Sequence, residues 1–324
     1  MKSIIFAALT ICVIIAVQFI DMNEGKDSKN KQGTYTIVIH GGAGTIDRSL
    51  PDSVKNDYLN SLKEALAIGR TILANSGSAI DACESVVEFL ENDPKFNAGK
   101  GSVYTSEGTH ELDASIMNGY DLSCGAVAGV KTVKNPVKLA RLVMEKTSHV
   151  LLISEGAEKF AEQMGLKPVE NNYFDTPQRY EQFQKLIKDK KGTVGCVALD
   201  KKGNLAAATS TGGTTNKMPG RVGDSPIINA GTYANNKTCA VSATGQGEKF
   251  IKNSVAFNIS ALMEYKGMTL KEAAEEMIDK RLSPGDGGII AVDKDGNYIA
   301  KFNTKGMFRG EADSHGKFEV KIWE

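Results

Sequence analysis

The sequence predicts an α+β fold with antiparallel strands, and three observations support this prediction. Residues 35–39 (YTIVI) are rich in β-branched residues, which is typical of a first strand. Apolar residues then recur at three- and four-residue steps over residues 54–72, which indicates an amphipathic helix. Further along, two strand-like segments, residues 193–199 and 205–211, flank a short polar turn. Helical and strand periods therefore alternate along one chain, as in a mixed α+β domain.

Composition and charge narrow the class of partner. The chain has 324 residues, of which 41% are hydrophobic and 24% are charged, as is usual for a globular protein. Lys plus Arg and Asp plus Glu are balanced at 39 each. A balanced charge predicts no nucleic-acid partner and no attraction to anionic membranes. We therefore expect any charged ligand to be recognised by a few local side chains.

The amino-terminal end differs in character from the rest. Residues 1–22 combine a basic start with a short apolar run, and no clear small-residue cleavage site follows. This pattern predicts a signal peptide, with an uncleaved membrane anchor as the alternative. Residues 23–33 are polar and are interpreted as a spacer. We expect an exported protein, periplasmic or extracellular or else anchored to the membrane, whose single domain covers residues 34–324.

The first elements have recognisable ends. The glycine-rich run of residues 40–44 (HGGAG) is predicted to end the first strand. Gly77 is predicted to end the first helix. Ser78, with Asp81 three residues later, is predicted to cap a second helix.

Two segments in the middle of the chain are predicted to be irregular. Residues 92–109 contain Gly, Asn and Ser and are interpreted as a loop. Residues 167–192 are mostly polar and end in a charged run, which is typical of a flexible surface segment. The character changes sharply at Thr193, where the first strand of the predicted hairpin begins.

The turn of this hairpin predicts its register. Asp200 and Asn204 are expected to pair around a three-residue loop. Continued outward, that register places Thr193 opposite Thr211. Two threonines would then meet at the open end of the hairpin, where the polar segment ends.

Gly192 and Thr193 are predicted to form a self-cleavage site. A threonine hydroxyl is a weak nucleophile unless a base takes its proton, and the amine of an amino-terminal threonine can be that base. Because an internal threonine has no such amine, the chain must be cut before Thr193. The hydroxyl can attack the Gly192 carbonyl and leave an ester for water to hydrolyse. Taken alone, the Gly-Thr-Val-Gly tetrapeptide also fits a tight entry to a strand.

A second group of residues suits a substrate with two charges. Arg221 and Asp224 lie three residues apart among glycines; the arginine can bind a carboxylate bidentately and the aspartate an ammonium. Together they suit the α-carboxylate and α-amino group of an aspartyl or asparaginyl substrate, although a surface ion pair is the alternative. The glycine-rich residues 243–248 can point N–H groups at an anion, or simply form a turn.

Taken together, these motifs resemble the plant-type asparaginase/isoaspartyl peptidase family, whose members are N-terminal-nucleophile hydrolases. The matching motifs occur in order from about Tyr35 to the carboxyl terminus, and the set is more specific than any one of them. They are HGGAG (40–44), FNAG (96–99), HELDA (110–114), GTVG (192–195), STGG (210–213), RVGD (221–224), ATG (243–245) and FNTKGM (302–307).

The resemblance implies a role for each matching residue. The implied roles are those of Thr193 (nucleophile), Thr211 (contact to its hydroxyl or amine), Asn97 (positioning the nucleophile), Thr244 and Gly245 (oxyanion hole), Arg221 (substrate α-carboxylate), and Asp224 and Gly247 (substrate α-amino group). His40 is interpreted as structural, because the family does its acid–base work with the threonine amine. Asn229 stands where relatives often have Gly.

The resemblance also implies a structural sodium ion, although no cofactor is expected for catalysis. Backbone carbonyls of one loop would hold the ion, those of Leu90, Glu91, Asp93, Phe96, Ala98 and Lys100; oxygen ligands suit a hard cation. The cysteines outside the leader lie far apart without a C-x-x-C pair, which argues against a zinc site. Most of them have apolar or small neighbours, which favours buried thiols, although disulfide bonds stay open.

The fold, assembly and activity follow from the same resemblance. It implies a four-layer αββα sandwich, self-cleaved into residues 34–192 and 193–324, with two cleaved protomers associating as (αβ)₂. The implied activity is hydrolysis of β-aspartyl dipeptides and of L-asparagine. Three alternatives are a glycosylasparaginase, a protein-cutting threonine peptidase of the same superfamily, and an uncleaved homologue that only binds aspartyl ligands. The intact set of threonines with Arg221 and Asp224 argues against the last.

Overall fold

Helices and strands alternate through residues 33–185 and 192–324, the parts of the chain that the structure, a computed structural model, describes. The strands are β1 (Thr36–Gly44), β2 (Leu112–Asn118), β3 (Cys124–Val130), β4 (Leu151–Ile153), β5 (Val194–Leu199), β6 (Leu205–Thr211), β7 (Thr232–Ala234), β8 (Cys239–Gly245), β9 (Gly287–Asp293), β10 (Tyr298–Phe302), β11 (Gly306–Asp313) and β12 (Phe318–Lys321). The helices are α1 (Asp52–Ala74), α2 (Ala79–Asn92), α3 (Pro136–Lys146), α4 (Ser154–Gln163), α5 (Pro177–Gln184), α6 (Gly247–Asn253), α7 (Val255–Lys266) and α8 (Leu270–Glu275). Short 3₁₀ turns lie at Gly99–Gly101 and Asn171–Phe174, and a π-helical turn lies at Glu276–Arg281. The predicted α+β class is confirmed.

The strands form two sheets. The larger has eight strands in the order β12-β11-β1-β5-β6-β2-β3-β4, and the smaller has four in the order β10-β9-β8-β7. Every strand pair in the described ranges is antiparallel except β3 with β4. Strand β1 therefore lies between β11 and β5 near the middle of the larger sheet.

Helices cover each sheet, and the sheets also touch each other. Helices α1 to α3 pack on the larger sheet through a buried core that includes Leu66, Val86 and Leu139. Helices α7 and α8 pack against the smaller sheet around Ile259 and Ala273. Strands β5 and β6 contact β8 of the other sheet, so the ends of these three strands come together. None of the helices in the described ranges is long and apolar enough to cross a membrane.

The predicted hairpin is confirmed, including its register. Strand β5 pairs with β6 from Val194 opposite Ser210 to Leu199 opposite Leu205. The turn closes with the Asp200 amide donating to the Asn204 carbonyl at 2.9 Å. The helix cap is confirmed as well, because the Ser78 side chain accepts a hydrogen bond from the Asp81 amide at 3.2 Å.

The predicted end of the first strand is wrong. Strand β1 continues through the glycine run to Gly44, with an irregularity between His40 and Gly42. Gly42 has a φ of +111°, a conformation that glycine adopts without the strain of a side chain. Pairing with β11 holds the strand together past this point, so the glycines shape the strand and do not stop it.

The predicted irregular segment 167–192 is wrong in part. It contains α5, whose start is capped by the Thr176 side chain, with Pro177 at the first position of the helix. Phe174 and Arg179 are buried. Residues 186–191 lie outside the described residues. So do residues 1–32, on which the predicted leader and most of the spacer fall.

Two smaller sequence observations can be compared with the structure. The four cysteines in the described ranges, Cys83, Cys124, Cys196 and Cys239, are free thiols, three of them buried. Asn229, which the resemblance predicts to replace a Gly, has a φ of +83°. Asparagine tolerates this left-handed region better than most residues, so the change leaves the turn intact.

Candidate active site

Thr193 lies just before β5, and its hydroxyl faces a second threonine. Its Oγ1 donates to Thr211 Oγ1 at 3.2 Å, and Thr211 Oγ1 in turn donates to the Gly192 carbonyl at 3.0 Å. The Gly213 amide donates to Thr211 Oγ1 at 2.9 Å, which fixes the orientation of that hydroxyl. The predicted nucleophile is thus connected, through one hydroxyl, to the carbonyl oxygen of the bond it would attack.

Asn97 supplies a second donor to the same carbonyl. Its Nδ2 lies 2.7 Å from the Gly192 oxygen and 2.6 Å from the Gly213 oxygen. Its Oδ1 accepts from the Val103 amide at 3.0 Å, so both ends of the side chain are held. Donors fixed in this way can stabilise negative charge that develops on the Gly192 oxygen.

The peptide at Gly192 is tightly enclosed. A Cβ at this position would lie 3.0 Å from the Asn97 Cβ, and a Cβ at Gly42 would lie 3.1 Å from the Gly192 Cα. Both contacts are closer than side chains normally make. Glycine at these two positions therefore lets β1 and the Asn97 loop approach the predicted cleavage site.

His40 holds the backbone of Thr193. Its Nδ1 lies 3.0 Å from the Thr193 carbonyl oxygen and its Nε2 lies 3.0 Å from the Ser242 hydroxyl. Burial lowers the pKa of His40 to about 3, although the hydrogen bond to Thr193 raises it. The ring is therefore neutral, with Nδ1–H donating to Thr193 and Nε2 accepting from Ser242. Both ring nitrogens are engaged away from the Thr193 hydroxyl, in keeping with a structural role.

A buried chain of hydroxyl groups continues from Ser242 toward the predicted substrate residues. Ser242 Oγ lies 2.7 Å from Thr209 Oγ1, which accepts from Thr232 Oγ1 at 2.6 Å. Ser115 Oγ lies 2.8 Å from Thr232 Oγ1 and 2.6 Å from the Ser225 carbonyl oxygen. No local sequence pattern indicates these linked hydroxyl groups, because their residues come from strands of both sheets that are far apart in sequence.

Arg221 binds a carboxylate of the protein itself. Its Nε and Nη2 donate to the two carboxylate oxygens of Glu248, each at 3.0 Å. This bidentate geometry is the one predicted for a substrate carboxylate. Glu248 was missed as a partner, although it ends the glycine-rich motif of residues 243–248, because the contact depends on how the start of α6 and the loop before β7 pack together.

Asp224 and Gly247 lie against Arg221. A Cβ at Gly247 would be 2.8 Å from Asp224 Oδ1 and 2.9 Å from Arg221 Nη2. Asp224 is buried, and its Oδ2 has no hydrogen-bond partner. Burial raises the pKa of Asp224 to about 7, while the charge of Arg221 lowers it. The carboxylate oxygen that faces Gly247 and Arg221 is Oδ1, and the unsatisfied Oδ2 lies against Gly231.

Gly213 joins the charged group to the threonine pair. Its amide donates to Thr211, and a Cβ on it would lie 3.4 Å from Arg221 Nη1. The structure thus brings Thr193, Thr211, Arg221 and Asp224 close together, and their roles stay predictions.

Thr244 and Gly245 lie at the edge of the same site. Thr244 is buried, and its Oγ1 accepts from the Ala43 amide at 3.1 Å, next to Gly42. Gly245 has a φ of +154°, and a Cβ there would meet the Asp286 carbonyl oxygen at 2.2 Å. Thr244 is thereby connected to the backbone that encloses the Gly192–Thr193 peptide.

The predicted cation loop folds its carbonyl groups inward. A Cβ at Gly99 would lie 2.3 Å from the Glu91 carbonyl oxygen, and one at Gly101 would lie 2.1 Å from that of Phe96. The Glu91 side chain accepts from the Ser210 hydroxyl at 2.7 Å, and burial raises its pKa to about 8. In the described ranges no group of three or more His, Cys, Asp or Glu could hold a metal. A backbone-carbonyl site for a hard cation still fits this loop.

Comparison with known proteins adds an independent line of information. A family model described as asparaginase matches residues 33–191 and 184–322, two segments that overlap at residues 184–191. The isoaspartyl peptidase of Salmonella typhimurium is 50% identical over 292 residues, covering 84% of this chain and 93% of that protein. The isoaspartyl peptidase of Escherichia coli is 48% identical, covering 86% and 92%. The isoaspartyl peptidase/L-asparaginase of Mus musculus is also 48% identical, covering 89% and 91%.

Proposed function

Because the chain belongs to the asparaginase family, we propose that it is an amidohydrolase that activates itself by cleavage before Thr193 and then hydrolyses β-aspartyl dipeptides and L-asparagine. The observation that carries the proposal is the hydrogen-bonded set of Thr193, Thr211 and Gly192 beside Arg221 and Asp224. The names of the relatives indicate the substrate class, and these residues are the ones that would carry out the reaction.

Self-cleavage uses the contacts of the uncut chain. The Thr193 hydroxyl passes its proton to Thr211 while Thr211 passes its own proton to the Gly192 oxygen, which Asn97 also stabilises. That proton then moves to the Thr193 nitrogen as this nitrogen leaves. A bond forms between Thr193 Oγ1 and the Gly192 carbonyl carbon, and the bond from that carbon to the Thr193 nitrogen breaks. Water then hydrolyses the ester, which leaves a carboxylate on Gly192 and a free amine on Thr193.

Turnover uses the new amine. This amine takes the proton of the Thr193 hydroxyl, and the hydroxyl oxygen attacks the side-chain amide carbon of the substrate. The amide nitrogen of the substrate then leaves with that proton. Water releases aspartate from the ester in a second step. We assign Thr244 and Gly245 to the oxyanion hole of this reaction, supported by the contact of Thr244 to the Ala43 amide beside the cleavage site.

Substrate binding exchanges one carboxylate for another on Arg221. The substrate α-carboxylate replaces Glu248 on the guanidinium, and the α-ammonium binds the Asp224 carboxylate at Oδ1, beside Gly247. The half-exposed Glu248 can rotate toward solvent when it is displaced. Both charged groups on the α-carbon are thereby recognised, and the side-chain amide extends toward Thr193.

The wider architecture belongs to the same proposal. Helices on both outer faces of two contacting sheets support a four-layer αββα sandwich of the N-terminal nucleophile type. A sodium ion on the carbonyls of residues 90–100 would hold the loop that carries Asn97. Association of two cleaved protomers and export by the leader complete the proposal.

Self-cleavage is the direct test of this proposal. Incubated full-length protein is expected to yield a fragment from Thr193 to Glu324, measured by intact mass, whose amino-terminal sequence begins Thr-Val-Gly-Cys. The cleaved protein is expected to release aspartate from β-Asp-Leu and from L-asparagine. Full activity from a chain that stays uncut would contradict the mechanism. Activity on glycosylated asparagine alone would favour a glycosylasparaginase.

A second prediction follows from the raised pKa of Asp224. The ammonium of the substrate needs the ionised carboxylate, whose fraction rises from about a tenth at pH 6 to about nine tenths at pH 8 for a pKa near 7. We expect this group alone to raise kcat/KM about tenfold over that range. The pKa of Asp224 is lowered by the charge of Arg221 and raised by the charges of Glu248 and Asp113. The Thr193 amine adds a second titration to the pH profile of kcat/KM.

The variant Asp224→Asn separates the two titrations in the pH profile, that of Asp224 and that of the Thr193 amine. It is expected to lower kcat/KM at every pH and to leave only the rise that belongs to the Thr193 amine. A pH profile of Asp224→Asn with the same slope as the unaltered protein would show that Asp224 does not titrate in binding.

A further inference from the structure

A cavity of about 200 Å³ lies on the Gly192 side of the site. Its lining includes Gly192 and Asn97 but not Arg221, Asp224 or Gly247. Most of its wall is apolar, formed by Leu50, Val54, Tyr58, Phe96 and Phe308. The groups assigned above to the aspartyl part of the substrate therefore leave this space unused.

Arg179 places a positive charge in the wall of the cavity. It is only 6% exposed, and it donates to the Gly101 carbonyl at 2.6 Å, to the Lys95 carbonyl at 3.3 Å and to Gln182 Oε1 at 3.0 Å. These bonds use three of the five N–H groups of a guanidinium. Among the described residues no carboxylate lies within ion-pair distance of it. Burial lowers the pKa of Arg179 only to about 10, so it stays charged at neutral pH.

A buried cation without a carboxylate is unusual. Removing a charge from water is costly, and neutral carbonyl groups offset only part of that cost. An anion in the adjoining cavity would offset more of it. The other charged lining residues have partners of their own: Lys95 is paired with Asp93 at 3.2 Å, and Asp47 accepts from the Ser49 amide at 2.8 Å.

A series of contacts connects Arg221, through the threonine pair, to the cavity. Arg221 adjoins Gly213, Gly213 binds Thr211, and Thr211 contacts Thr193 and Gly192, which borders the cavity. A substrate held at Arg221 with its amide at Thr193 therefore directs the group beyond the amide toward the cavity. Once the bond to Thr193 is cut, Gly192 is free to move out of the space between the bound substrate and the cavity.

We propose that this cavity is the subsite for the leaving amino acid of a β-aspartyl dipeptide, with the apolar wall receiving its side chain and Arg179 binding its carboxylate. This inference rests on the proposed function and deepens it. L-Asparagine releases ammonia and places nothing in the cavity, so it serves as an internal control.

The test compares three substrates on the cleaved protein: β-Asp-Leu, the same dipeptide with a carboxyl-terminal amide, and L-asparagine. We expect kcat/KM for β-Asp-Leu to exceed that for its amide by about tenfold or more, since a charged hydrogen bond is lost with the carboxylate. Arg179→Gln is expected to remove this preference and to leave L-asparagine hydrolysis within about twofold. Arg179→Lys, which keeps the charge, should restore part of the preference.

A second variant tests the wall without touching Arg179. Val54 lies on α1 at the cavity and is partly exposed, so Val54→Asp is expected to fold and to repel the leaving carboxylate. It should lower kcat/KM for β-Asp-Leu several-fold and leave L-asparagine unchanged. Asn60→Asp is a matched control, because it adds the same charge to the exposed side of the same helix away from the cavity.

Three outcomes would overturn the subsite. They are equal hydrolysis of the dipeptide and its amide by the unaltered protein, an Arg179→Gln protein that loses both substrates in proportion, and a Val54→Asp protein that acts like Asn60→Asp. Failure of the proposed function would look different, because the unaltered protein would then hydrolyse neither β-Asp-Leu nor L-asparagine.

Discussion

Thr193→Ala is expected to leave the chain uncut and to lower turnover of β-Asp-Leu by at least about a thousandfold, as losses of catalytic nucleophiles do. The variant lacks the hydroxyl that contacts Thr211, and without cleavage it also lacks the amine that would serve as base. The measurements are intact mass after prolonged incubation and aspartate release at saturating substrate.

The control for this variant keeps the hydroxyl. Thr193→Ser is expected to retain part of both activities, because the oxygen and, after cleavage, the amine survive. Thr211→Val is a useful companion, since it removes the hydroxyl between Thr193 and the Gly192 carbonyl while preserving the shape of the side chain. Substantial hydrolysis by an uncut Thr193→Ala protein would show that another group is the nucleophile.

Arg221→Ala is expected to lower kcat/KM for β-Asp-Leu by about a thousandfold or more, as for a site that loses the partner of a specific polar group. Two effects add here. The substrate carboxylate loses its bidentate partner, and Asp224 loses the positive charge that lowers its pKa while Glu248 still raises it. The ammonium therefore also binds a carboxylate that is ionised less often.

Substrate isomers make this prediction specific. The aspartyl residue of an α-linked Asp-Leu dipeptide has no free α-carboxylate, so the unaltered protein is expected to cleave only the β-linked isomer. L-Asparagine has both charged groups and should be hydrolysed, but less well. Arg281→Ala is the matched control, because it removes an arginine whose ion pair with Glu276 lies at the surface. Cleavage of both dipeptide isomers at similar rates, or an Arg221→Ala protein with full activity, would contradict the assignment.

The register at the active site could be predicted because local chemistry fixes it. The Asp200 carboxylate accepts from the amides of Lys202 and Asn204 at 2.9 and 3.0 Å, which closes the turn within a few residues. Each strand residue beyond the turn then follows in order. The meeting of Thr193 and Thr211 is thus determined by a turn at the far end of the hairpin.

The features that sequence reasoning missed depend on distant contacts. Glycines after His40 suggested a strand end, yet β11 pairs across them and keeps the strand extended. The polar composition around Arg179 suggested an exposed segment, yet the carbonyls of Lys95 and Gly101 bury that side chain. The partner of Arg221 could not be predicted either, because nothing in the local pattern distinguishes a bound Glu248 from a solvated one.

The strand order of the larger sheet determines how a cut chain behaves. Strand β1, from the part before Thr193, lies between β11 and β5 from the part after it, and β6 pairs with β2. The two pieces are therefore interleaved like complementing fragments, and each lacks backbone partners for its central strands when alone. Dilution cannot separate them as it separates subunits that meet at their surfaces. They come apart only when the common sheet unfolds, so the proposed cleavage before Thr193 would break a peptide bond without creating a dissociable interface.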